Sequence, residues 1–335
     1  MSPFTFLLCS ERSGSNLITR IFDSHSKVCG PPPTHFVRQI FFNRIRYGDL
    51  SNDANWNAMT DDVACLINSA MVPWKTSWTG EQLRTTCTSR RLTELVRTTF
   101  LAEAAAAGKD RVFIKENEMH HLAPLIFTGF PDANVLFFVR DPRDMVLSHM
   151  ATPSRKGEIS SGTQIWQNDQ RQSLRLYHAL QEAGTANVVV LRYEDLLQDA
   201  ENQLQRVCKC FGLDYEPQML AFGENATNQA LAGATTAWKN LSKPLLSTNH
   251  KKYRQSLHED QIRYIESVCW DEMEALGYQP DFGRGKPADL LESLRAAGLD
   301  RMPGPASVPS EEVEHRKRVR ASYEQVSSRS ICPIL

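Results

Sequence analysis

The chain has 335 residues, of which 41% are hydrophobic and 23% are charged, and its formal net charge at pH 7 is −1. This composition is typical of a globular protein with a large core. The near-zero charge argues against a general nucleic-acid-binding protein, whose affinity rests on a strong basic excess. Because the eight cysteines include no Cys-x-x-Cys pair, the sequence predicts neither a disulfide scaffold nor a zinc site.

The N-terminal residues do not have the pattern of a secretion signal. Residues 1–10 lack a basic segment and a long apolar run, and no stretch of the chain approaches the length of a membrane span. We therefore expect a cytoplasmic protein with reduced thiols and no membrane-spanning segment.

The first predicted element is a buried strand that ends in small polar residues. Residues 4–9 form a short apolar run, and Ser-Glu-Arg-Ser-Gly-Ser-Asn follows at 10–16 before a predicted helix. The run is typical of a strand in a parallel sheet. Backbone N–H groups at the helix N-terminus, with the guanidinium of Arg12, would hold a phosphate. An ordinary capped helix has a similar pattern. The lysine of Gly-x-x-x-x-Gly-Lys-Ser/Thr is absent, which argues against NTP hydrolysis.

The next elements lead to a helical region. A short strand is expected at residues 28–29, and the prolines at 31–33 end regular structure just before His35. Residues 36–107 are predicted to be mostly helical. Their recurring aromatic side chains are more often core than ligand contacts.

Two further apolar runs end in charged residues. Residues 111–115 are predicted to be a strand that ends at Lys115, and residues 119–128 an amphipathic helix. Residues 135–139 are predicted to be a strand that ends at Arg140. A helix should follow it through Pro142, because proline is favoured at the first helical position.

The rest of the chain alternates predicted helices, one strand and polar stretches. A mobile polar loop is expected at 152–162, and a polar, glycine-containing stretch lies at 216–234. The predicted helices are 166–183, 200–211, 260–276, 289–297 and 311–326; the strand is 188–192; a Pro-rich linker is expected at 302–309.

Three of these segments resemble the 3′-phosphoadenosine 5′-phosphosulfate (PAPS) dependent sulfotransferases. They are the loop at 10–16, Arg-Asp-Pro-Arg-Asp at 140–144 with Ser148, and Leu-Arg-Tyr-Glu-Asp-Leu-Leu at 191–197, which Phe-Gly-Leu follows at 211–213. The resemblance implies an α/β fold with a central parallel sheet flanked by helices, similar to that of P-loop NTPases. It implies a sulfotransferase domain at 1–280, whose insertion at about 36–107 covers the acceptor pocket, and leaves 281–335 as a C-terminal helical extension.

The resemblance also implies which residues bind the cofactor. The early loop would hold the 5′-phosphosulfate, Arg140 and Ser148 the 3′-phosphate, and Tyr193 would lie near the adenine. A basic and aromatic stretch with Trp238 and Lys239 would close over the nucleotide. The implied cofactor-binding residues are Arg12, Ser13, Gly14, Ser15, Asn16, Leu17, Arg140, Ser148, Tyr193, Lys251 and Lys252. The alternative for Tyr193 is a plain buried tyrosine, and the alternative for Lys251 and Lys252 is that both are solvated lysines.

The catalytic residues implied by the resemblance are less definite. Arg12 and Lys115 would neutralise charge on the leaving phosphate, and no metal is required. The proton acceptor stays open among His35, the pair His120 and His121, and Glu118. The family's Lys-x-x-His segment fits loosely, because the histidines come later after the lysine than expected.

The implied activity is transfer of a sulfuryl group from PAPS to a hydroxyl or amine of a small-molecule or carrier-tethered acceptor, a reaction of the EC 2.8.2 type. The opening loop and the prolines resemble bacterial enzymes of secondary metabolism and glycolipid modification. The C-terminal helix could serve a homodimer. The alternatives are a nucleotide kinase with a divergent phosphate loop and a nucleotide-binding adaptor without catalytic activity.

Overall fold

A sheet of five parallel strands organises the protein. The computed structural model describes residues 2–152, 157–184, 187–224, 226–234, 238, 240–302 and 309–332. The strand order is β2-β3-β1-β4-β5. The strands are β1 Phe4–Leu8, β2 Val28–Cys29, β3 Arg111–Lys115, β4 Asn134–Val139 and β5 Asn187–Arg192. The predicted α/β fold with a central parallel sheet is therefore confirmed.

Helices cover both faces of the sheet. The α-helices are α1 Ser15–Asp23, α2 Phe36–Phe42, α3 Asp53–Asn68, α4 Gly80–Thr86, α5 Leu92–Ala106, α6 Ala123–Gly129, α7 Pro142–Met150, α8 Ile159–Ala183, α9 Tyr193–Gln198, α10 Ala200–Cys210, α11 Ala226–Ala234, α12 Tyr253–Ser256, α13 Glu259–Ala275, α14 Pro287–Ala296 and α15 Ser310–Ser327. Short 3-10 helices lie at Arg44–Arg46, Met119–Leu122 and Pro217–Glu224.

The two central strands are apolar on both faces, which is why both stay buried. Every residue of β1 and of β4 is buried. Along β4, Val135 and Phe137 face the core that contains α3, α5 and α8, while Leu136 and Phe138 face the core that contains α1 and α10. Alternation with apolar residues on both sides is the expected pattern of a strand inside a parallel sheet.

Strands β1 and β4 are neighbours, so the loops that follow them meet. Leu8 pairs with Phe137 near the carboxyl end of both strands. Helix α1 begins directly after the first loop, and α7 begins at Pro142, where Asp141 accepts a hydrogen bond from the Arg143 backbone. Two helix N-termini therefore open at the same edge of the sheet, and such termini favour anions.

The predicted mobile loop at 152–162 is partly wrong. Helix α8 begins at Ile159 rather than at Trp166, and residues 153–156 lie outside the described residues. The Ile159 N–H donates to the Asp300 carbonyl at 2.9 Å, and the Met302 N–H donates to the Gly157 carbonyl at 3.1 Å. The segment at residues 300–302 thus supplies hydrogen-bond partners to the backbone at the start of α8. The small polar residues at that start are otherwise typical of a loop.

The polar stretch at 216–234 also contains helical structure. It forms the 3-10 helix Pro217–Glu224 and then α11. Met219 and Phe222 are buried against α1 and α10. Leu231 is also buried and Leu220 packs partly buried against the same core, but the spacing of these few apolar residues gives no clear periodic signal in the sequence.

The region after residue 280 packs on the rest of the chain. Helix α14 contacts α13, and α15 lies against α2 and α3. Of the linker predicted at 302–309, residues 303–308 lie outside the described residues. Within the part of the chain that the structure describes, no helix is both long and apolar enough to cross a bilayer.

Candidate active site

A cavity of about 460 Å³ opens at the carboxyl ends of β1 and β4. Its wall combines the loop after β1, the start of α7, the start of α9 and the segment before α12. The lining residues are Arg12, Gly14, Ser15, Asn16, Leu17, Arg140, Asp144, Leu147, Ser148, Ala151, Tyr193, Leu197, Phe222, Trp238, Asn240, Leu241, Pro244, Leu245, Leu246, Asn249 and Lys252. Nine of the eleven cofactor-binding residues predicted from the sequence are in this wall; Ser13 and Lys251 are not.

The loop after β1 turns sharply to present backbone N–H groups. Arg12 and Gly14 both have left-handed backbones, with φ of 63° and 87°. The first helical hydrogen bond of α1 runs from the Ile18 N–H to the Gly14 carbonyl, so the earlier N–H groups have no acceptor within the helix. Ser13 is fully buried, and its hydroxyl has no hydrogen-bond partner among the described residues.

Gly14 is required by the tyrosine that faces it. A Cβ at position 14 would lie 2.7 Å from the Tyr193 ring, closer than real contacts allow. We expect Gly14→Ala to lower the free energy of unfolding by about 1–3 kcal/mol, since left-handed strain alone costs about 1–2 kcal/mol.

Chemical denaturation checks this prediction against Gly108→Ala. Gly108 also has a left-handed backbone, with φ of 71°, but a Cβ there meets nothing within 4 Å. Gly108→Ala therefore measures strain without the contact. Equal losses in the two variants would show that the Tyr193 ring does not restrict position 14.

Arg140 joins the two loops across the cavity. Its Nη1 donates to the Arg12 carbonyl at 3.0 Å, and its Nη2 approaches the Asn249 carbonyl at 3.5 Å. The guanidinium lies over the Tyr193 ring, 4.7 Å from the centroid. Arg140 is only 8% exposed, and its Nε has no partner among the described residues. A buried cation with an unused donor in a cavity wall is suited to bind an anion.

The neighbouring arginine has a different role. Arg143 contacts Asp141 and Glu266 at 2.6 Å each, and Asp281 at 3.4 Å. Among the described residues no carboxylate lies within ion-pair distance of Arg140. The sequence repeats arginine in Arg-Asp-Pro-Arg-Asp, but only the first is available for a ligand.

Asp144 holds the segment that carries Lys252 over the cavity. Its carboxylate accepts hydrogen bonds from the Lys251 N–H at 2.6 Å and the Tyr253 N–H at 3.0 Å. Lys252 thereby lines the cavity. Lys251 does not line it, and its backbone N–H makes the contact with Asp144. Lys239 lies outside the described residues.

Ser148 and Tyr193 complete the wall between the two loops. The Arg12 Nε donates to the Ser148 hydroxyl at 3.2 Å, which ties the first loop to α7. The Asn249 side chain donates to the Tyr193 hydroxyl at 2.6 Å. Burial raises the pKa of Tyr193, so its hydroxyl stays protonated.

A second polar cluster lies beyond the end of β3. The Lys115 ammonium donates to the Asn117 side chain at 2.8 Å, and Asn117 donates to Glu11 at 2.9 Å. Glu11 directly precedes Arg12, so this chain of hydrogen bonds connects the end of β3 to the loop after β1. Burial lowers the pKa of Lys115.

His35 faces a carboxylate in this cluster. Its Nδ1 lies 3.0 Å from Glu116 Oε2; the Glu116 side chain is 2% exposed and that of His35 is 16% exposed. Burial and the charge of Lys115 lower the pKa of His35 below its usual 6.5, against the opposing effect of Glu116. The imidazole is therefore neutral at pH 7. A proton on Nδ1 shared with Glu116 leaves Nε2 as the free base.

The other proposed proton acceptors occupy different surroundings. Burial, with a contribution from His121, lowers the pKa of His120 to about 4, and its Nε2 is 4.0 Å from Asp169. His121 is exposed and lies edge-on to Phe42. Glu118 forms an ion pair with Arg38 at 2.7 Å. Of these groups only His35 combines a partly exposed ring with a carboxylate in hydrogen-bond contact.

Sequence reasoning missed Glu116, Asn117 and Asp144. Glu116 and Asn117 follow the strand end at Lys115, and Asp144 belongs to the second cofactor motif. The sequence shows these residues, but their hydrogen-bond partners lie 81 to 107 residues away along the chain.

Among the described residues, no cluster of three or more histidine, cysteine or acidic side chains has the arrangement of a metal site.

Comparison with known proteins identifies relatives of this chain. A model of the Sulfotransferase family matches residues 3–217. Carbohydrate sulfotransferase 6 of Homo sapiens is 25% identical over 223 residues, which cover 60% of this chain and 56% of that protein. Protein-tyrosine sulfotransferase A of Caenorhabditis elegans is 23% identical over 305 residues, or 87% of this chain and 72% of that protein. The chain spans about half the length of the carbohydrate sulfotransferases that it matches.

A solved structure agrees with this relationship at the level of the fold. The sulfotransferase domain from the Synechococcus PCC 7002 olefin synthase superimposes with a TM-score of 0.58 at 17% identity. The superposition covers 83% of this chain and 95% of that domain.

Proposed function

The chain belongs to the sulfotransferase family, and from this premise we propose that it transfers a sulfuryl group from PAPS to a hydroxyl of a small-molecule or carrier-tethered acceptor. PAPS supplies an activated sulfuryl group, and its transfer releases adenosine 3′,5′-bisphosphate. An amine in place of the hydroxyl is the alternative acceptor, and the acceptor screen below would detect it.

The observation that carries the proposal is the meeting of two strand ends in one cavity. Arg140 follows β4, its side chain reaches the backbone of the loop after β1, and both line the same wall. Two groups of donors at separate places in one cavity wall would suit a nucleotide with phosphate groups on both the 3′ and the 5′ side. Helix N-termini and arginine forks are the usual means of binding such groups.

The donor groups of the wall fit this cofactor. The Arg140 Nε is a buried polar group in this wall without a partner among the described residues, and a ligand anion would satisfy it. We assign the loop at residues 12–17 to the 5′-phosphosulfate, and Arg140 with Ser148 to the 3′-phosphate. Tyr193 and Lys252 would lie against the nucleoside and its phosphates.

We propose His35, which lies outside the lining of the cavity, as the group that takes the acceptor's proton. Glu116 orients the imidazole through Nδ1, and the depressed pKa of His35 keeps Nε2 unprotonated at neutral pH. A base must be unprotonated and oriented before it can accept a proton in the transition state. When the acceptor oxygen forms its bond to sulfur, its proton would move to His35 Nε2.

Arg12 and Lys115 would balance the charge that develops on the leaving phosphate. Arg12 belongs to the loop itself, and Lys115 connects to the same loop through Asn117 and Glu11. Preorganised donors of this kind stabilise developing charge without reorganising during the reaction.

The proposal is tested first by binding. Calorimetry with adenosine 3′,5′-bisphosphate and with adenosine 5′-monophosphate compares ligands that differ by the 3′-phosphate. We expect the bisphosphate to bind at least about 30-fold more tightly, which corresponds to about 2 kcal/mol from the Arg140 and Ser148 contacts. Equal affinities, or a preference for ATP with Mg²⁺, would favour a nucleotide kinase.

Turnover is then tested with PAPS and panels of alcohols, phenols, saccharides and amines. Release of adenosine 3′,5′-bisphosphate that depends on one acceptor class would identify the acceptor chemistry. Tight binding of the bisphosphate without turnover on any panel would favour a nucleotide-binding adaptor.

A further inference from the structure

The C-terminal helix α15 reaches the peptide that presents His35. This helix lies beyond residues 3–217, the part of the chain that the family model matches. It packs against α2 and α3, with Ser322 and Val326 buried. The Tyr323 hydroxyl lies 3.4 Å from the carbonyl oxygen of Thr34, the residue that precedes His35.

The register of α15 is set by a buried carboxylate on α3. Asp62 is fully buried and accepts hydrogen bonds from Gln325 and from Arg329 Nη2, both at 2.8 Å. The Tyr47 hydroxyl donates to the same carboxylate at 2.7 Å. Gln325 lies in the last turn of α15 and Arg329 lies just beyond it. Their hydrogen bonds to Asp62 therefore fix the position of the helix along its axis, and with it the position of Tyr323.

Tyr323 is a donor in this position. Its ring is half-buried against the main core, and burial, reinforced by the charge of Glu116, raises the pKa of its hydroxyl. The hydroxyl therefore keeps its proton at any working pH and donates it to the Thr34 carbonyl.

The peptide that Tyr323 contacts has an unusual conformation. His35 has φ of 57°, in the left-handed region that non-glycine residues rarely adopt. Thr34 is 4% exposed, so its carbonyl depends on a protein partner. Rotation of the peptide between Thr34 and His35 would turn the imidazole away from Glu116.

We propose that Tyr323 is a positioning residue for His35, so that α15 completes the acceptor side of the site. Its hydroxyl holds the Thr34 carbonyl and keeps the His35 peptide in the left-handed conformation that brings Nδ1 to Glu116. The inference rests on the proposed function for its catalytic consequence, but the coupling between Tyr323 and His35 is a structural property that is measured separately.

The test uses Tyr323→Phe, which removes the hydroxyl and keeps the ring that packs in the core. We expect kcat with the acceptor found above to fall about 3- to 10-fold, with the affinity for adenosine 3′,5′-bisphosphate unchanged. Tyr177→Phe is the matched control, because Tyr177 is a half-buried tyrosine on α8 whose ring contacts His178. It should leave both quantities at the wild-type level.

The second readout is the titration of the His35 imidazole by NMR in the full-length protein. The charged groups that face His35 are Lys115 at the end of β3, Glu116 directly after it and Arg38 on α2. Glu116 raises its pKa and the other two lower it, so a loosened contact with Glu116 shifts the titration to lower pH in Tyr323→Phe. A His35 titration identical to wild type would overturn the inference, whether or not kcat changes. A shifted titration in a protein that does not bind the bisphosphate would instead reject the proposed function and leave the positioning role intact.

Discussion

Replacing His35 with alanine is expected to lower kcat by about 10²- to 10⁴-fold, the usual contribution of a positioned general base. His35 is neutral at pH 7, it is hydrogen-bonded to Glu116 through Nδ1, and its ring is partly exposed. Without it the acceptor's proton would pass to water. Steady-state kinetics with saturating PAPS measures the change, and calorimetry should show an unchanged affinity for adenosine 3′,5′-bisphosphate.

The competing bases supply the comparison for this result. His120→Ala and His121→Ala should each lower kcat less than His35→Ala, because His120 is buried beside Asp169 and His121 lies on the surface. A larger loss in either variant than in His35→Ala would move the base to that histidine.

The pH profile of the wild-type enzyme gives an independent check on the same residue. Burial lowers the pKa of His35, so the active neutral form persists below its usual pKa of 6.5 and is lost only as the pH falls further. The acid limb of kcat/KM, which reports groups of the free enzyme, should therefore have its midpoint below pH 6.5. Glu116→Gln should move this midpoint lower still, since the Glu116 charge opposes the shift. A midpoint above 6.5 would contradict the assignment.

Replacing Arg140 with alanine is expected to weaken binding of adenosine 3′,5′-bisphosphate by about 2–4 kcal/mol, or about 30- to 1000-fold. The side chain is 8% exposed and lines the cavity. A charge-assisted hydrogen bond in such a desolvated place is stronger than one in water. Calorimetry measures the loss directly.

Adenosine 5′-monophosphate separates a lost contact from general damage to the site. Arg140→Ala should bind this ligand almost as well as wild type, because the assigned contact is to the absent 3′-phosphate. Arg175→Ala is the matched control, since Arg175 is an exposed arginine on α8. If Arg140→Ala weakened both nucleotides equally, Arg140 would be a residue that shapes the cavity rather than one that reads the 3′-phosphate.

Local pattern was sufficient for the sheet and for the positions of the loops after β1 and β4. The apolar runs that became β1 and β4 are short and end abruptly in polar residues, so their type and their ends were predictable. Gly14, Asp141 and Pro142 mark the starts of α1 and α7 through their own backbone and capping preferences. The relation between these loops came from the resemblance to the sulfotransferases, since no local signal states which strands are neighbours.

Pairing between distant segments was not predictable. The start of α8 depends on the chain near Asp300, and the segment around Lys252 depends on the carboxylate of Asp144. In both cases the local residues are compatible with several backbone conformations, and a hydrogen-bond partner more than 100 residues away stabilises one of them.

The sequence by itself determined the parallel sheet and the family, and it predicts a phosphate-binding loop after β1, because these follow from short-range periodicity, backbone preference and motif order. Only the tertiary structure decided that Arg140 rather than Arg143 is available to a ligand, that Glu116 orients His35, and that α15 contacts the peptide of that histidine. The physical reason is that a side chain's charge state, burial and orientation depend on which distant groups surround it, and packing alone brings those groups together.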